Sequence, residues 1–200
     1  MKIAVLANDR QWKEMDTAYE QVDFYRIESM ENIKPDVDAC LLLKGELKTN
    51  FHWTPKPVFV NAVCTTLKEM DAVPNVVRIN GWNGFLARNT WEVAGAINKP
   101  VQDILKALGK ETIKVPDEPG FVSARIIAMI INEAYFALEE NVSTTEAIDI
   151  AMKLGTNYPH GPFEWAALIG VNKIFTLLQK MSIQDKSYLP ALLLKAAITA

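Results

Sequence analysis

The feature that most constrains the fold is a change of pattern at the proline-rich stretch 116–120, PDEPG. Before it, short apolar runs of strand length recur between polar or helical stretches. After it, apolar residues recur at helical spacing. The sequence therefore predicts an α/β domain at residues 1–118 and an all-α domain at residues 119–200. The predicted strands are IAVLA (3–7), DFYRI (23–27), ACLLL (39–43), PVFVNA (57–62), VVRINGW (76–82), TWEVAGA (90–96) and ETIKVP (111–116).

The first half has the order expected of a Rossmann-like fold. Near-continuous apolar runs such as 39–43 are typical of strands covered on both faces of a parallel sheet. Residues 10–22 place Trp12, Met15, Ala18 and Tyr19 on one helical face, and this helix lies between the first two strands. The pattern predicts a βαβ unit and a parallel sheet. A second helix is predicted over residues 99–110, ending near Gly109.

The second half predicts a sequence of helices. Residues 121–138 are apolar on most faces and contain no helix breaker, which indicates a long helix buried on several sides. Ser143 and Glu146 have the spacing of a capping box for the next helix, which Gly155 closes. Pro162 begins a third. Two further helical segments are VNKIFTLLQKM (171–181) and LPALLLKAAI (189–198).

Composition excludes several classes of function. With 21 Lys and Arg against 24 Asp and Glu, the chain has no basic excess for phosphate contacts, so nucleic acid is not expected as a partner. The apolar runs are shorter than a membrane span or a signal-peptide core, so we expect a cytoplasmic protein without membrane association. Cys40 and Cys64 lack a close-spaced partner, so we expect buried thiols and no metal site.

Three stretches resemble the 3-hydroxyacyl-CoA dehydrogenase family. They are KALGKETIKVPDEPGFVSAR (106–125), IDIAMKLGTNYPHGPFEW (148–165) with its Gly-Pro-Phe-Glu signature, and VVRINGWNGFLARNTWEVAG (76–95). The resemblance implies a dinucleotide-binding domain followed by a helical domain of the 6-phosphogluconate dehydrogenase C-terminal-like type, through which the protein forms a homodimer. It also implies NAD-dependent oxidation of a 3-hydroxyacyl-CoA to the 3-ketoacyl-CoA.

The same resemblance locates the catalytic positions. Removing a hydride from C3 also requires a base for the hydroxyl proton, and the family uses a histidine supported by a carboxylate. The carboxylate corresponds to Glu92, but the histidine corresponds to Asn80, and an amide cannot act as the base. The asparagine three positions further on is retained as Asn83, and Thr65 corresponds to a hydroxyl residue of the family. An asparagine of the helical domain is replaced by Ala124.

The cofactor positions also depart from the family. The three glycines of the dinucleotide fingerprint correspond to Ala7, Asp9 and Trp12. Those glycines permit a tight turn, close approach of the pyrophosphate and close packing of the helix on the strand. Asp9 adds a negative charge beside a diphosphate, so we expect NAD to bind poorly. Glu28 is the candidate acid for the adenosine ribose, and the α/β half is shorter than that of the family.

Structural roles are open for the same residues. Glu92 is equally compatible with an exposed strand position, Asn80 and Asn83 with local hydrogen bonds of a turn, and Glu28 with a solvated loop. The two histidines, His52 and His160, fit a surface loop and a helix start. The apolar stripe at 126–138 predicts a core or a dimer seam, with an acyl-CoA contact as the lesser alternative.

Two hypotheses of function follow. In the first, the chain is a diverged NAD-dependent 3-hydroxyacyl-CoA dehydrogenase. In the second, it is a non-catalytic descendant that keeps the fold and the dimer and binds an acyl-CoA or a protein. The residue chemistry predicts no appreciable turnover and leaves open whether the protein is an enzyme.

Overall fold

The computed structural model describes residues 1–15, 21–45 and 54–198. The chain forms two compact units, Met1–Phe121 and Val122–Ala200. Ala18, Tyr19 and His52, which figure in the sequence predictions, lie outside the described residues.

All seven predicted strands form in the first unit, together with two α-helices among its described residues. The first helix is described over seven residues, and the second ends beside Gly109, whose φ of 59° suits glycine. The elements are β1 (Lys2–Leu6), α1 (Asp9–Met15), β2 (Asp23–Ile27), β3 (Ala39–Leu42), β4 (Val58–Asn61), β5 (Val76–Ile79), β6 (Thr90–Gly95), α2 (Lys99–Ala107) and β7 (Glu111–Lys114), with a 3-10 turn at Met30–Asn32.

The strands form one sheet in the order β2-β1-β3-β4-β5-β6-β7. Neighbouring strands are parallel except β5 and β6, which are antiparallel, so the predicted Rossmann-like sheet is confirmed as mostly parallel. The exception has a simple cause. The connection over residues 80–89 contains no crossover helix, and a short connection joins antiparallel neighbours more readily than parallel ones.

The sheet is buried on both faces at its centre. Ile3, Val5 and Leu41 pack in one apolar cluster, and Ala4 and Leu42 pack in another, as strand alternation requires. Cys40 lies in the second cluster, where burial raises the pKa of its thiol to about 12. The predicted buried thiols are confirmed, since Cys64 is also buried and unbridged.

The order of strands reverses between β1 and β3, and the carboxyl ends of such strands border the ligand crevice of an open α/β sheet. Among the described residues, β2 is the only strand on the far side of β1. The six-stranded Rossmann order has two strands there. The shortening of the α/β half therefore falls on the side of the sheet that holds adenosine in dinucleotide-binding folds.

The second unit is helical in its described residues. Its helices are α3 (Val122–Glu139), α4 (Thr145–Thr156), α5 (Pro162–Ile169), α6 (Val171–Met181) and α7 (Leu192–Ala196), with a 3-10 turn at Lys186–Tyr188. Helix α3 is central because it contacts α5, α6 and α7. It buries Ile127, Ile131 and Tyr135, as expected of a core helix. Within the described residues, none of the helices has the length and apolar character needed to cross a membrane.

The ends of α4 differ from the prediction. Its cap is Thr144, not Ser143, because the Thr144 hydroxyl accepts a hydrogen bond from Ala147 N at 3.3 Å. The helix also continues through Gly155. It ends before Asn157, which adopts the left-handed conformation with φ of 57° that asparagine tolerates.

Candidate functional site

The predicted catalytic pair comes together at the end of β5. The antiparallel register pairs Ile79 of β5 with Val93 of β6. Continued by one residue, this register sets Asn80 opposite Glu92. Residues directly opposite in an antiparallel pair have Cβ atoms about 4.5–5.5 Å apart and lie on the same face. The fold thus brings together two positions that are distant in sequence.

The two asparagines of this segment are engaged in local contacts. Asn80 is buried, and its Oδ1 accepts a hydrogen bond from Trp82 N at 3.3 Å. Asn83 Oδ1 lies 3.5 Å from Asn8 Nδ2, at the start of α1. The Asn80 contact matches the turn role considered for it and directs its oxygen toward the backbone, whereas Asn83 contacts a residue 75 positions away.

Glu92 is half-buried and lies in the electrostatic field of an arginine. Partial desolvation lowers the pKa of Arg88, and the negative charges of Glu92 and Glu14 oppose this shift. The Glu92 carboxylate therefore lies near the positively charged guanidinium of Arg88. The family chemistry instead needs a neutral imidazole beside this carboxylate.

The other predicted positions are spread through the two units. Thr65 is half-buried in the loop after β4. Ala124 is fully buried in α3 of the helical unit, and Arg125 is half-buried beside it. Glu28 is exposed one residue beyond β2.

The turn between β1 and α1 is closed by a capping box that the sequence analysis missed. Asn8 Oδ1 accepts a hydrogen bond from Gln11 N at 2.8 Å. Asn8 N donates in return to Gln11 Oε1 at 3.0 Å. The sequence signal was an Asn-x-x-Gln spacing directly after a strand, which belongs to the capping-box pattern. The first turn of α1 thus has an internal partner where a phosphate group lies in dinucleotide-binding folds.

Gln11 extends this box into an amide cluster, formed by the half-buried Asn8 and the buried Gln11 and Asn61. Gln11 Nε2 donates to Leu43 O and to Gly81 O, each at 2.8 Å. Asn61 Nδ2 donates to Leu43 O at 3.0 Å, and Asn61 Oδ1 accepts from Gly81 N at 3.0 Å. A Cβ at residue 81 would lie 2.8 Å from Asn61 Cβ, so this close approach requires glycine.

A second contact covers the same turn from β2. Arg26 Nη2 donates to Asp9 Oδ1 at 2.7 Å and to Ala7 O at 3.0 Å. Its guanidinium carbon lies 6.0 Å from the centre of the Trp12 ring. Hydrogen bonding and the charge of Arg26 hold the pKa of Asp9 below its usual value. All three fingerprint positions therefore surround one arginine.

These residues do not fit a nicotinamide dinucleotide. A pyrophosphate needs open backbone N–H groups at the helix start and a close, uncharged approach. Here Asn8 accepts from Gln11 N, and the Asp9 carboxylate lies in the first turn of α1. The predicted weak binding of NAD stays a prediction, and it now has a structural basis.

A buried arginine, also missed at first, joins the interior of the α/β unit to the segment 116–121. Arg78 is fully buried in β5. Its Nε donates to Ala62 O at 2.8 Å, its Nη1 to Asp117 Oδ1 at 2.6 Å, and its Nη2 to Glu118 O at 3.1 Å. A charge inside an apolar strand run was the available signal. The role is structural, because the donors bind the chain itself.

In the helical unit, the Gly-Pro-Phe-Glu signature forms a helix cap. Asp149 of α4 accepts hydrogen bonds from Phe163 N at 2.8 Å and Glu164 N at 3.1 Å. Gly161 N donates to Glu164 Oε2 at 3.0 Å. A Cβ on Gly161 would lie 2.2 Å from Asp149 Oδ1, so glycine makes room for the capping carboxylate. The signature therefore has a folding role.

His160 lies beside this cap. Its ring centre is 6.1 Å from that of Trp165, in an edge-on arrangement. The contact supports the structural role considered for this histidine at the start of α5.

A mostly parallel, Rossmann-like sheet followed by an all-α unit is the class of fold that the chain adopts. Solved structures agree with this assignment. The (S)-3-hydroxybutyryl-CoA dehydrogenase of Ralstonia eutropha superimposes with a TM-score of 0.73 and 17% identity, covering 99% of this chain and 93% of that chain. At that identity the likeness establishes the fold.

Sequence comparison shows which family part of the chain resembles. Residues 120–200 match the model of the 3-hydroxyacyl-CoA dehydrogenase C-terminal domain. The 3-hydroxyadipyl-CoA dehydrogenase of Escherichia coli (strain K12) is 41% identical over 93 residues, which are 46% of this chain and 20% of that protein. The probable 3-hydroxybutyryl-CoA dehydrogenase of Bacillus subtilis (strain 168) is 37% identical over 102 residues, 50% of this chain and 36% of that protein.

The chain thus spans between a fifth and about a third of the length of these two relatives. Residues 120–200 match the 3-hydroxyacyl-CoA dehydrogenase C-terminal domain, and the resemblance to this family is confirmed.

Proposed function

We propose that the protein is a 3-hydroxyacyl-CoA dehydrogenase homologue with little or no dehydrogenase turnover. The observation that carries the proposal is Asn80, which stands directly after β5 at the position of the family's histidine. The family reaction transfers a hydride from C3 of a 3-hydroxyacyl-CoA to NAD and needs a base for the hydroxyl proton. A carboxamide has no basic atom at neutral pH. Loss of a general base lowers a rate by about 10²–10⁴-fold.

The test is the reverse reaction. Purified protein is mixed with NADH and acetoacetyl-CoA, and the nicotinamide absorbance is followed. The Ralstonia eutropha 3-hydroxybutyryl-CoA dehydrogenase is run in parallel to show that the assay works. We expect no protein-dependent oxidation of NADH by the chain. Clear oxidation that disappears in Glu92→Gln would reject the proposal and make the chain a working dehydrogenase.

A second candidate function is a non-catalytic homodimer that binds an acyl-CoA or a protein. It is favoured by an exposed apolar stripe on α4, formed by Ala147, Ile150, Ala151 and Leu154. These residues lie at i, i+3, i+4 and i+7 on one helical face, and Leu154 is 83% exposed. Contiguous exposed apolar surface is typical of an interface. In the α3 stripe considered as a core or a dimer seam, Ile127 and Ile131 are buried and Ile126 is exposed.

The dimer is tested by sedimentation or light scattering. We expect a dimer for the unmodified chain and a monomer for Ile150→Asp with Leu154→Asp. Ile183→Asp changes another exposed apolar residue outside the stripe, so it should remain dimeric. A monomeric unmodified chain would reject the dimer. A rise of the melting temperature with acetoacetyl-CoA would support acyl-CoA binding, because a ligand stabilises the state that it binds.

A further inference from the structure

In open α/β sheets, ligands bind in the crevice at the carboxyl ends of the strands where the strand order reverses, which in this chain lies between β1 and β3. We infer that the chain fills this crevice with its own amide side chains and thereby excludes nicotinamide dinucleotides. This goes beyond the proposed function, which rests on the missing base at residue 80, because it concerns the cofactor. An experiment can therefore reject the inference about the cofactor without rejecting the proposed function.

The first step is the position of Gln11. Its side chain leaves α1, crosses the ends of the strands and is 1% exposed. Its amide nitrogen binds carbonyl oxygens that follow β3 and β5, at Leu43 and Gly81. The same nitrogen therefore joins α1 to the loops that follow β3 and β5. A dinucleotide lying there would have to displace a buried amide and leave two carbonyl groups without this donor.

The second step is the backbone at the crevice mouth. Leu6 O, at the end of β1, accepts hydrogen bonds from Leu43 N at 2.7 Å and Lys44 N at 3.0 Å. The ends of β1 and β3 are thus tied directly above the switch point. Asn61, on β4, completes the connection by bonding both Leu43 O and Gly81 N.

The third step is a second set of hydrogen bonds between α1 and the loop after β5. Glu14 lies one helical turn beyond Gln11, and its carboxylate accepts from Gly84 N at 2.6 Å and Leu86 N at 3.2 Å. Gln11 and Glu14 therefore fasten the segment 81–86 from one face of α1. This loop is therefore held by side chains of α1.

The fourth step is the charge at the helix start. The Asp9 carboxylate occupies the first turn of α1 and is paired with Arg26. A diphosphate at this turn would face that carboxylate and would compete with it for the arginine. Steric filling by Gln11 and the charge of Asp9 both oppose binding of a diphosphate.

The test uses the full chain and NADH. The five tryptophans report binding by quenching or energy transfer to the nicotinamide, and the melting temperature reports it independently. With NADH up to about 1 mM, the upper end of usual Michaelis constants, we expect no saturable fluorescence change and no rise of the melting temperature. A saturable change together with a raised melting temperature would overturn the inference.

A pair of variants tests the filling itself. Gln11→Met keeps the length of the side chain but removes both donors, so we expect a lower melting temperature. Gln21→Met alters an exposed glutamine of the same unit and should leave it unchanged. An unchanged melting temperature for Gln11→Met would contradict the inference. If that variant does not fold, slow hydrogen exchange of the Gly81 amide in the unmodified chain is the required result, and rapid exchange would overturn the inference.

The outcomes separate the two proposals. Saturable NADH binding without oxidation by acetoacetyl-CoA would overturn the filled crevice and leave the proposed lack of turnover intact. Oxidation of NADH would reject the proposed function as well.

Discussion

The two units both fasten a helix start with a polar side chain, but the two caps relate differently to the family. In the α/β unit, Asn8 caps α1 at the turn where the dinucleotide fingerprint would lie. In the helical unit, Asp149 caps α5 within the Gly-Pro-Phe-Glu signature itself. The family model matches residues 120–200, which include the second cap. The signature that serves folding is therefore present, whereas the one that would serve a cofactor is replaced by an internal contact.

The largest expected effect belongs to the α/β unit, at Arg78. Arg78→Met should destabilise this unit by about 3 kcal/mol, because it removes the buried partner of an ion pair whose aspartate is 30% exposed, together with several buried hydrogen bonds. Urea unfolding followed by tryptophan fluorescence measures the change. Arg26→Met removes a partly exposed arginine and should shift the urea midpoint little. Equal shifts for the two variants would show that burial of Arg78 does not govern its contribution.

In the helical unit, the sharpest test is a pair of glycines. Gly161→Ala should cost about 1–3 kcal/mol, because the new methyl group meets the capping carboxylate of Asp149. Gly155→Ala adds a methyl group in open space within α4 and should be neutral or stabilising by up to about 1 kcal/mol. Thermal unfolding followed by helical circular dichroism compares them. An unchanged thermal unfolding of Gly161→Ala would contradict the close approach of residue 161 to the Asp149 carboxylate.

Removal of the cap itself should have a smaller effect. Asp149→Ala should cost about 0.5–2 kcal/mol, as for other helix caps, because Phe163 N and Glu164 N lose their acceptor. Asp149→Asn keeps one acceptor oxygen, so its stability should lie between that of the unmodified chain and that of Asp149→Ala. A cost for the asparagine variant equal to that for alanine would mean that the charge, and not the hydrogen bond, is what stabilises α5.

The smallest effect concerns Asp9, which is exposed. Its pKa should lie below the ordinary value of 3.8 in the folded protein, because Arg26 hydrogen-bonds the carboxylate and is positively charged. Stabilisation from this pair is present above the unfolded pKa and is lost as the pH falls through the lower folded pKa. Side-chain NMR titration measures it. Arg26→Met should return the pKa toward 3.8, and an unchanged pKa would remove Arg26 as the cause.

Local patterns accounted for most of the fold. Each predicted strand formed. The apolar runs of β3, β4 and β5 are buried on both faces, whereas the edge strand β7 is exposed. The helical half followed in the same way from helical periodicity and from Pro162 at a helix start. The predicted cap of α4, Ser143, lies one residue before the observed cap, Thr144. Both residues carry a hydroxyl group that can accept the capping hydrogen bond, so local pattern did not distinguish them.

The amino-acid sequence by itself determined the two-unit architecture, the family resemblance and the absence of a histidine at residue 80. Tertiary structure alone decided the antiparallel β6 and the amide cluster of Asn8, Gln11 and Asn61. Gln11 reaches partners 32 and 70 residues away, and Arg78 reaches one 39 residues away. Hydrogen bonds over such separations leave no periodic trace in a sequence, because they depend on where the fold brings distant backbone groups together.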